Sequence, residues 1–430
     1  MNKLSPNAIR KTISLFLAFI LIAGTIASIF PLSSFMIVSA QEQRHPIIND
    51  PTLQAEIFAE GLSWPTSMAF LDYNNILVLE KDQGTVRLFS NGILQEEPVL
   101  KVDVDTKAER GLLGIAIMNK DAVFLYYTES SKDNEQLKNK VYKYQWNGER
   151  LVNPILILDL PATPGPDHVG GKLAIGPDNY LYAVIGDVKR EGKLQNFIHG
   201  PDPDDTGVIL RVNPDDGSPA PGNPFADNNN ELSLLNKYYA YGIRNSFGIA
   251  FDPITETLWQ TENGPNEYDE VNVVKPGFNS GWQQLMGPIS KSDITKDDLV
   301  NFPNSKYADP VFSWFPSLGI TDIEFLNSSK LGEKYANNIF VGDIGEITDG
   351  YLYYFEVNED RTGIKFDSSS QIGLTDLVAD NEEEISAIAL GTAFGGITDI
   401  ETGPDGFLYI LTLDRVSNGE GKIYRIVLTQ

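Results

Sequence analysis

The sequence predicts an all-β protein, a six-bladed β-propeller of four-stranded antiparallel blades. Three observations predict it: one strand–turn–strand pattern recurs six times, each copy is followed by a further alternating strand, and amphipathic helical periodicity is nearly absent. Self-similarity at a spacing of about 45 to 80 residues, with about four strands per unit, is typical of a propeller. A two-sheet sandwich is the alternative, and the regularity of six repeats disfavours it.

Each repeat begins with an apolar strand, turns at Pro, Asp or Asn, and returns in a second strand. The six copies are Thr66–Asp82, Leu112–Ser130, Gly171–Asp187, Phe247–Asn263, Thr321–Gly345 and Thr398–Asp414. The strands that follow them alternate β-branched or aromatic residues with polar ones, and they are Thr85–Phe89, Val141–Trp146, Val208–Asn213, Glu270–Val274, Tyr351–Val357 and Lys422–Leu428. Leu53–Ala59 is a spare strand before the first copy, and we expect it to close the ring with the last blade.

The N-terminus predicts a targeting segment. Three basic residues precede an apolar run from Ile13 to Phe30, and Val38-Ser39-Ala40 resembles a cleavage site for a signal peptidase. Residues 1–40 are therefore expected to be a signal peptide or, if uncleaved, a membrane anchor. Residues 41–52 form a linker and residues 53–430 the propeller. Either alternative places the propeller outside the cytoplasm, secreted or at the cell surface, with membrane contact only through an uncleaved N-terminal segment.

Composition and missing motifs exclude several classes of function. The chain has no cysteine, so disulfides, zinc–thiolate sites and thiol catalysis are excluded. Its formal net charge of −26 makes nucleic acid an unexpected partner, because a phosphate backbone requires a basic surface. There is no Walker loop, no dinucleotide-binding glycine motif and no nucleophile elbow. Bound divalent cations and a need for solubility fit the acidic composition better.

The stretch Pro166–Leu173 contains the first candidate for chemistry, His168. It is one of three histidines, and the other two, His45 and His199, stand in polar surroundings rich in Pro and Asp. Asp167 precedes it, two glycines follow and a strand begins, which places His168 on a tight turn at the mouth of a strand. Histidine is a ready proton acceptor near neutral pH. The alternative is a turn histidine exposed to water.

Three further stretches stand at comparable positions in their repeats. Glu109–Gly114 opens the second repeat with a charged pair, and its alternative interpretation is a solvated turn. Tyr241–Gly248 contains Arg244, whose planar fork suits a carboxylate or carbonyl pair unless it makes an ordinary ion pair between blades. Thr261–Glu270 carries a Gly-Pro turn flanked by acids and amides, which suits a hard cation such as Ca²⁺, although acidic loops are common. We expect the four stretches to meet at one end of the channel.

The four stretches together resemble the soluble pyrroloquinoline-quinone-dependent glucose, aldose and sorbosone dehydrogenases, which are six-bladed propellers. The resemblance covers about residue 53 to residue 430. It rests on ERGLLGIA (Glu109–Ala116), DHVGGKLAIGPDNYLY (Asp167–Tyr182), YGIRNSFGIAFDP (Tyr241–Pro253) and ENGPNEYDEVN (Glu262–Asn272). The order of the four motifs along the chain makes the resemblance specific.

The resemblance implies an extracytoplasmic quinoprotein oxidoreductase that oxidises an aldose at C1 and passes its electrons to an external acceptor. His168 corresponds to the family's general base, which takes the proton of the anomeric hydroxyl as hydride passes to pyrroloquinoline quinone (PQQ). Asp167 corresponds to a residue beside the sugar and the cofactor. The alternative is a non-catalytic propeller of the same fold that binds a glycan or a protein.

The same resemblance assigns further binding residues. Arg244 and Asn245 correspond to the pair that contacts the quinone, and Glu109 stands at a position near the cofactor. The main-chain carbonyls of Gly264 and Pro265 correspond to those that hold the Ca²⁺ bridging to the cofactor. A cation and an arginine that polarise a quinone carbonyl make it a better hydride acceptor.

The chain departs from the family pattern where the cofactor's carboxylates bind. The family uses a lysine in the fifth blade and two arginines before the last repeat. Here the fifth-blade stretch Gly342–Gly350 has no basic residue, and Gly396 and Thr398 stand at about the two arginine positions. The departure predicts weak, strongly Ca²⁺-dependent PQQ binding, or a quinone with fewer carboxylates. Cations that would have to compensate stand on other loops: Lys172, Lys189, Arg190, Arg244 and Arg415.

Overall fold

The computed structural model describes residues 45–130, 136–227, 230, 233–345, 349–366, 373–415 and 418–429. The predicted targeting segment, residues 1–40, lies outside the described residues. Within the described ranges, no helix has both the length and the apolar character needed to cross a membrane.

Strands dominate the described part of the chain. In the first half they are β1 (Ile47–Ile48), β2 (Leu53–Ser63), β3 (Pro65–Phe70), β4 (Asn75–Glu80), β5 (Thr85–Ser90), β6 (Ile93–Leu94), β7 (Leu100–Lys101), β8 (Leu112–Met118), β9 (Ala122–Glu129), β10 (Lys138–Trp146), β11 (Leu151–Pro161), β12 (Leu173–Ile175), β13 (Leu181–Ile185), β14 (Val208–Val212) and β15 (Tyr238–Tyr241). In the second half they are β16 (Gly248–Phe251), β17 (Leu258–Glu262), β18 (Asp269–Val274), β19 (Phe278–Asn279), β20 (Lys306–Tyr307), β21 (Phe312–Trp314), β22 (Ile320–Phe325), β23 (Ile339–Asp343), β24 (Leu352–Val357), β25 (Ile364–Lys365), β26 (Val378–Ala379), β27 (Ala389–Thr392), β28 (Gly396–Thr402), β29 (Leu408–Asp414) and β30 (Glu420–Leu428).

Helical segments are short and few among the described residues. The α-helix α1 (Glu382–Ala387) is capped by Asn381, whose side chain accepts a hydrogen bond from Glu384 N. The 3₁₀ turns are Lys193–Gln195, Leu234–Lys237, Ile289–Lys291, Lys296–Asp298 and Leu374–Asp376. The expectation that helices are nearly absent is confirmed over these ranges.

The described strands form six sheets, and the prediction of an all-β propeller is confirmed. Their orders are β3-β4-β5-β6 with β7 on β5, β11-β10-β9-β8, β12-β13-β14-β15-β19-β20, β16-β17-β18-β21-β26, β1-β27-β24-β23-β22 with β25 on β24, and β2-β30-β29-β28. Each repeat of the sequence supplies two adjacent strands at one end of a sheet. This arrangement is incompatible with the two-sheet sandwich.

The prediction of four strands in every blade is wrong. Among the described strands, only β11-β10-β9-β8 and β2-β30-β29-β28 are four-stranded sheets, and the other sheets have five or six strands. The long insertions add short outer strands, and several of these pair in parallel: β19 with β15, β20 with β19 and β26 with β21. An edge strand has unpaired main-chain N–H and C=O groups, and these can pair with such short strands. The pairing protects the edge of the sheet.

The spare N-terminal strand joins the last sheet, as predicted. Strand β2 pairs antiparallel with β30, from Leu53 opposite Leu428 to Ser63 opposite Glu420. The strand is longer than the predicted Leu53–Ala59 and contains two register shifts. Within the predicted linker, residues 41–52, the short strand β1 pairs with β27. The two ends of the propeller are therefore fastened together by main-chain hydrogen bonds.

Buried charges connect strands of different sheets. Asp322 on β22 accepts a hydrogen bond from Ile400 N (2.9 Å), and Asp399 on β28 accepts one from Met68 N on β3 (2.8 Å). Lys172 Nζ lies 2.8 Å from Asp322 and 2.5 Å from Asp399, and its side chain is 9% exposed. We call Lys172, Asp322 and Asp399 the axial ion cluster. It ties three sheets together through side chains far apart in the sequence.

Candidate active site

A cavity of about 720 Å³ brings together six of the seven residues singled out from the sequence. The six are Glu109, His168, Arg244, Asn245, Gly264 and Pro265. They come from the loops that enter or leave the strands of three different repeats. The expectation that the four stretches meet at one place is therefore confirmed.

Asp167 is the exception, because it is not among the residues that line the cavity. Its carboxylate forms an ion pair with Lys189, and its side chain is 30% exposed. The side chains of the consecutive residues Asp167 and His168 point in different directions. His168 adopts a left-handed backbone conformation with φ of 61°. His168 lines the cavity, whereas Asp167 is half-buried beside Lys189.

His168 is held by two carboxylates. Its Nδ1 lies 2.7 Å from Asp187 Oδ1, and its main-chain N donates to Glu109 Oε2 at 2.7 Å. The side chain is 13% exposed, so the interpretation as a turn histidine exposed to water is wrong. A carboxylate on one ring nitrogen fixes the tautomer and leaves the other nitrogen, Nε2, as the proton acceptor. This pairing is the arrangement of a general base.

Glu109 joins the His168 turn to the Arg-Asn stretch. Besides His168 N, its Oε2 accepts a hydrogen bond from Asn245 Nδ2 at 3.0 Å, and Asn245 Oδ1 accepts one from Gly170 N at 3.1 Å. Burial raises the pKa of the Glu109 carboxyl, and the hydrogen bonds from His168 N and Asn245 Nδ2 oppose the rise. Glu109 therefore fixes the shape of the cavity wall as well as lining it.

Arg244 lines the cavity with donors that the protein only partly uses. Its Nη1 donates to Asn263 O at 3.0 Å, and its buried Nε has no hydrogen-bond partner in the described structure. The ion pairs found among the described side chains include none of Arg244, so the interpretation as an ion pair between blades finds no support there. Desolvation lowers the pKa of the guanidinium despite nearby carboxylates. A guanidinium with unused donors suits a ligand that offers carboxylate or carbonyl oxygens.

The Gly264-Pro265 turn is held in place by Asp269. The Asp269 carboxylate accepts hydrogen bonds from Gly264 N, Ser317 Oγ, Leu318 N and Gly319 N at 2.7–3.0 Å. A Cβ on Gly264 would lie 1.9 Å from Tyr268 O, so only glycine fits. No cluster of three or more acidic or histidine side chains arranged for a metal is found in the described ranges. A cation at this turn would thus depend on main-chain carbonyls.

The structure divides the possible compensating cations into two groups. Lys172 and Arg415 line the cavity together with Arg244, and Lys81 joins them without having been expected. Lys172 is engaged by the axial ion cluster, and Lys81 lies 2.7 Å from Asp82. The other group, Lys189 and Arg190, pairs with Asp167 and Asp204 away from the cavity lining.

Sequence reasoning missed Asp187 and Trp282. Asp187 is 3% exposed and accepts hydrogen bonds from Lys189 N and from Trp282 Nε1, both at 2.7 Å. A usable signal existed for Asp187, because an aspartate closes the first, third and sixth repeats at Asp82, Asp187 and Asp414. Trp282 stands in an irregular insertion where no periodic pattern identifies it.

The family model for "Glucose / Sorbosone dehydrogenase" matches residues 62–425. Aldose sugar dehydrogenase YliI of Escherichia coli is 26% identical over 376 residues, which are 86% of this chain and 92% of that protein. Quinoprotein glucose dehydrogenase B of Acinetobacter calcoaceticus is 27% identical over 284 residues, 60% of this chain and 58% of that one. A glucose dehydrogenase-type oxidoreductase from Thermus thermophilus is 28% identical with a TM-score of 0.67, covering 87% of this chain and 100% of that structure.

Proposed function

The chain belongs to the glucose/sorbosone dehydrogenase family, and from this premise we propose that it is a quinoprotein that oxidises an aldose at C1. The observation that carries the proposal is the His168–Asp187 pair on the wall of the same cavity as Arg244. The partners are then a sugar and an external electron acceptor. In this proposal the six sheets are six blades.

His168 acts as the general base of the proposed oxidation. The aldose loses a hydride from C1 and a proton from the anomeric hydroxyl, and a C=O bond forms at C1. Nε2 of His168 takes the proton, because Nδ1 is already bonded to Asp187. Asp187 stabilises the imidazolium that forms, and a positioned base of this kind contributes about 10²–10⁴-fold to the rate.

The cavity residues fit a quinone cofactor with carboxylate groups. Such a cofactor, when bound, supplies the acceptor for the hydride. Arg244 offers its unpartnered Nε, and Lys81 and Arg415 add positive charge to the cavity wall. These three residues would hold PQQ in place of the lysine and arginines that the family pattern leads one to expect. Because these three residues line the cavity, the cavity would keep more positive charge for the cofactor's carboxylates than the sequence predicts.

We further propose that the carbonyls of Gly264 and Pro265 bind Ca²⁺ beside the cofactor. Both residues line the cavity, and Asp269 fixes the turn that carries them. Ca²⁺ accepts main-chain carbonyls among its oxygen ligands. Few basic residues face the carboxylates of the cofactor. A cation at this turn would offset their negative charge, so cofactor binding would depend on Ca²⁺.

The test is a titration of the purified protein with PQQ, followed by tryptophan fluorescence, in Ca²⁺ and in a chelator. We expect binding in Ca²⁺ and a loss of at least about tenfold in affinity in the chelator, since one charge-assisted contact contributes roughly 1.5–3 kcal/mol. Arg244→Met should weaken binding in both conditions, whereas Lys193→Met, which removes only a surface ion pair with Asp202, should not. Dye reduction with glucose and other aldoses then measures turnover.

The possible outcomes separate the two functions. Nanomolar binding that survives the chelator would contradict the proposed role of Ca²⁺. No binding at any practical concentration, and no dye reduction, would instead favour a non-catalytic propeller that binds a glycan or a protein. The observation in favour of that alternative is the absence of a basic residue from Gly342–Gly350.

We also propose an extracytoplasmic location, secreted or at the cell surface. The motivation is the order of basic, apolar and small residues within residues 1–40. The mass of the native protein is expected to correspond to a chain that begins near Gln41. An intact N-terminus in the membrane fraction would support the anchor alternative instead.

A further inference from the structure

The indole of Trp282 lies directly behind the His168–Asp187 pair. Trp282 follows β19 and is 8% exposed, and its Nε1 donates to Asp187 Oδ2 at 2.7 Å. The other oxygen of the same carboxylate, Oδ1, accepts from His168 Nδ1. Each carboxylate oxygen thus has its own ring N–H donor, and these two bonds fix the plane of the carboxylate together with the Lys189 N–H, which also donates to Oδ1 at 2.7 Å.

The same indole also contacts Arg244. The guanidinium carbon lies 5.3 Å from the centre of the Trp282 ring, within the range of a cation–π interaction. In addition, the main-chain O of Arg244 accepts a hydrogen bond from Asp187 N at 2.9 Å. The buried side chain of Trp282 therefore contacts both Asp187, the partner of His168, and Arg244 on the cavity wall.

Trp282 is itself held on both sides of its main chain. Its N donates to Gly242 O at 3.1 Å, and its O accepts from Asn196 Nδ2 at 2.8 Å. Asn196 and Asn279 exchange two amide hydrogen bonds, at 3.0 and 2.9 Å. Because the main chain of Trp282 is already anchored, its indole N–H loses little further conformational entropy when it binds the Asp187 carboxylate. The direction of this N–H is therefore set by the fold.

We propose that Trp282 is a positioning residue of the proposed oxidation. Its N–H holds the Asp187 carboxylate so that His168 keeps the proton on Nδ1 and presents Nε2 to the cavity. The inference rests on the proposed function for its kinetic consequence, but the tautomer of His168 is a property of the protein without any cofactor. Loss of a hydrogen bond to a charged group changes a rate by about 10- to 100-fold when that bond supports the transition state.

Trp282→Phe is the informative variant, because it removes the N–H and keeps a ring against Arg244. Trp314→Phe is the matched control: Trp314 is fully buried, and its Nε1 has no hydrogen-bond partner in the described structure. We expect kcat for aldose oxidation to fall about 10- to 100-fold in Trp282→Phe with KM changed less than threefold. Trp314→Phe should lose stability but keep its kcat.

A double-mutant cycle separates positioning from a general structural effect. If Trp282 acts through Asp187, Trp282→Phe should add almost nothing in an Asp187→Ala background, since coupled residues are not additive. Additive losses would overturn the proposal. So would an unchanged kcat in Trp282→Phe, or an equal loss of kcat in Trp314→Phe.

A measurement without cofactor tests the same inference directly. In protein labelled with ¹⁵N-histidine there are three imidazoles to assign, and the spectrum of His168→Ala identifies the one from His168. We expect a neutral imidazole with the proton on Nδ1 in the wild type and a mixture of tautomers in Trp282→Phe. An unchanged tautomer in that variant would overturn the inference. Absence of aldose oxidation by the wild type would contradict the proposed function alone.

Discussion

Replacing His168 by alanine is expected to reduce aldose oxidation by about 10²–10⁴-fold and to leave the protein folded. The variant removes the only histidine that lines the cavity in the described ranges, and with it the proton acceptor paired with Asp187. Folding should persist because the imidazole makes one side-chain hydrogen bond, to Asp187. Steady-state kinetics in PQQ and Ca²⁺, with thermal unfolding alongside, make the measurement.

Two controls isolate the role of the base. His168 has a φ of 61°, a conformation that asparagine adopts more readily than alanine, so His168→Asn removes the base with less backbone strain. Both variants should be equally inactive. His199→Ala changes a histidine outside the cavity lining and should keep wild-type turnover. Near wild-type activity in His168→Ala would show that another group takes the proton.

Replacing Lys172 by methionine is expected to lower the free energy of unfolding by about 3–5 kcal/mol at pH 8, the cost of leaving buried charges without their partner. Lys172 Nζ is bound to Asp322 and Asp399, whose side chains are both 0% exposed. Without the ammonium, two carboxylates of neighbouring sheets face each other in a poorly solvated place. Denaturant unfolding with a common m-value measures the difference.

The loss in Lys172→Met should depend on pH with a defined sign. Burial raises the pKa of Asp322, Glu324 and Glu401, in the case of Glu324 to about 7. Burial disfavours the charged ammonium of Lys172 and by itself would lower its pKa. Attraction from Asp322 and Asp399 outweighs burial and raises this pKa. A carboxyl whose pKa is raised by folding contributes stability at low pH that is lost as the pH rises through the folded value. The wild type should therefore lose stability as the pH rises from about 4.5 to about 7, and the variant should lose more over this rise.

Matched variants test whether the effect belongs to the axial ion cluster. Asp322→Asn in the Lys172→Met background should recover part of the lost stability, because it removes one of the two unpaired charges. Lys193→Met, which breaks an exposed ion pair with Asp202, should leave stability nearly unchanged. A pH-independent loss in Lys172→Met would show that lost packing, and not charge, is responsible.

The pair of strands that begins each repeat, and most of the candidate site, could be predicted from the sequence. Alternation of apolar and polar residues is a local property, so the first two strands of every repeat lie where the pattern placed them. Strand β2 was also predicted, as a spare strand before the first repeat that closes the ring, and it pairs with β30. Four motifs at matching positions in their repeats were sufficient to bring Glu109, His168, Arg244 and Gly264 to one cavity.

Which side chains within those motifs face the cavity, and which groups they contact there, could not be predicted from the sequence. Asp167 and His168 are neighbours, yet the left-handed backbone at His168 sends one to Lys189 and the other to Asp187. The sequence favours Lys172 as a cation for a ligand, but its ammonium is paired with Asp322 and Asp399 of other sheets. Asp399 lies 227 positions away along the chain. Such pairings depend on closure of the whole ring, which no local pattern encodes.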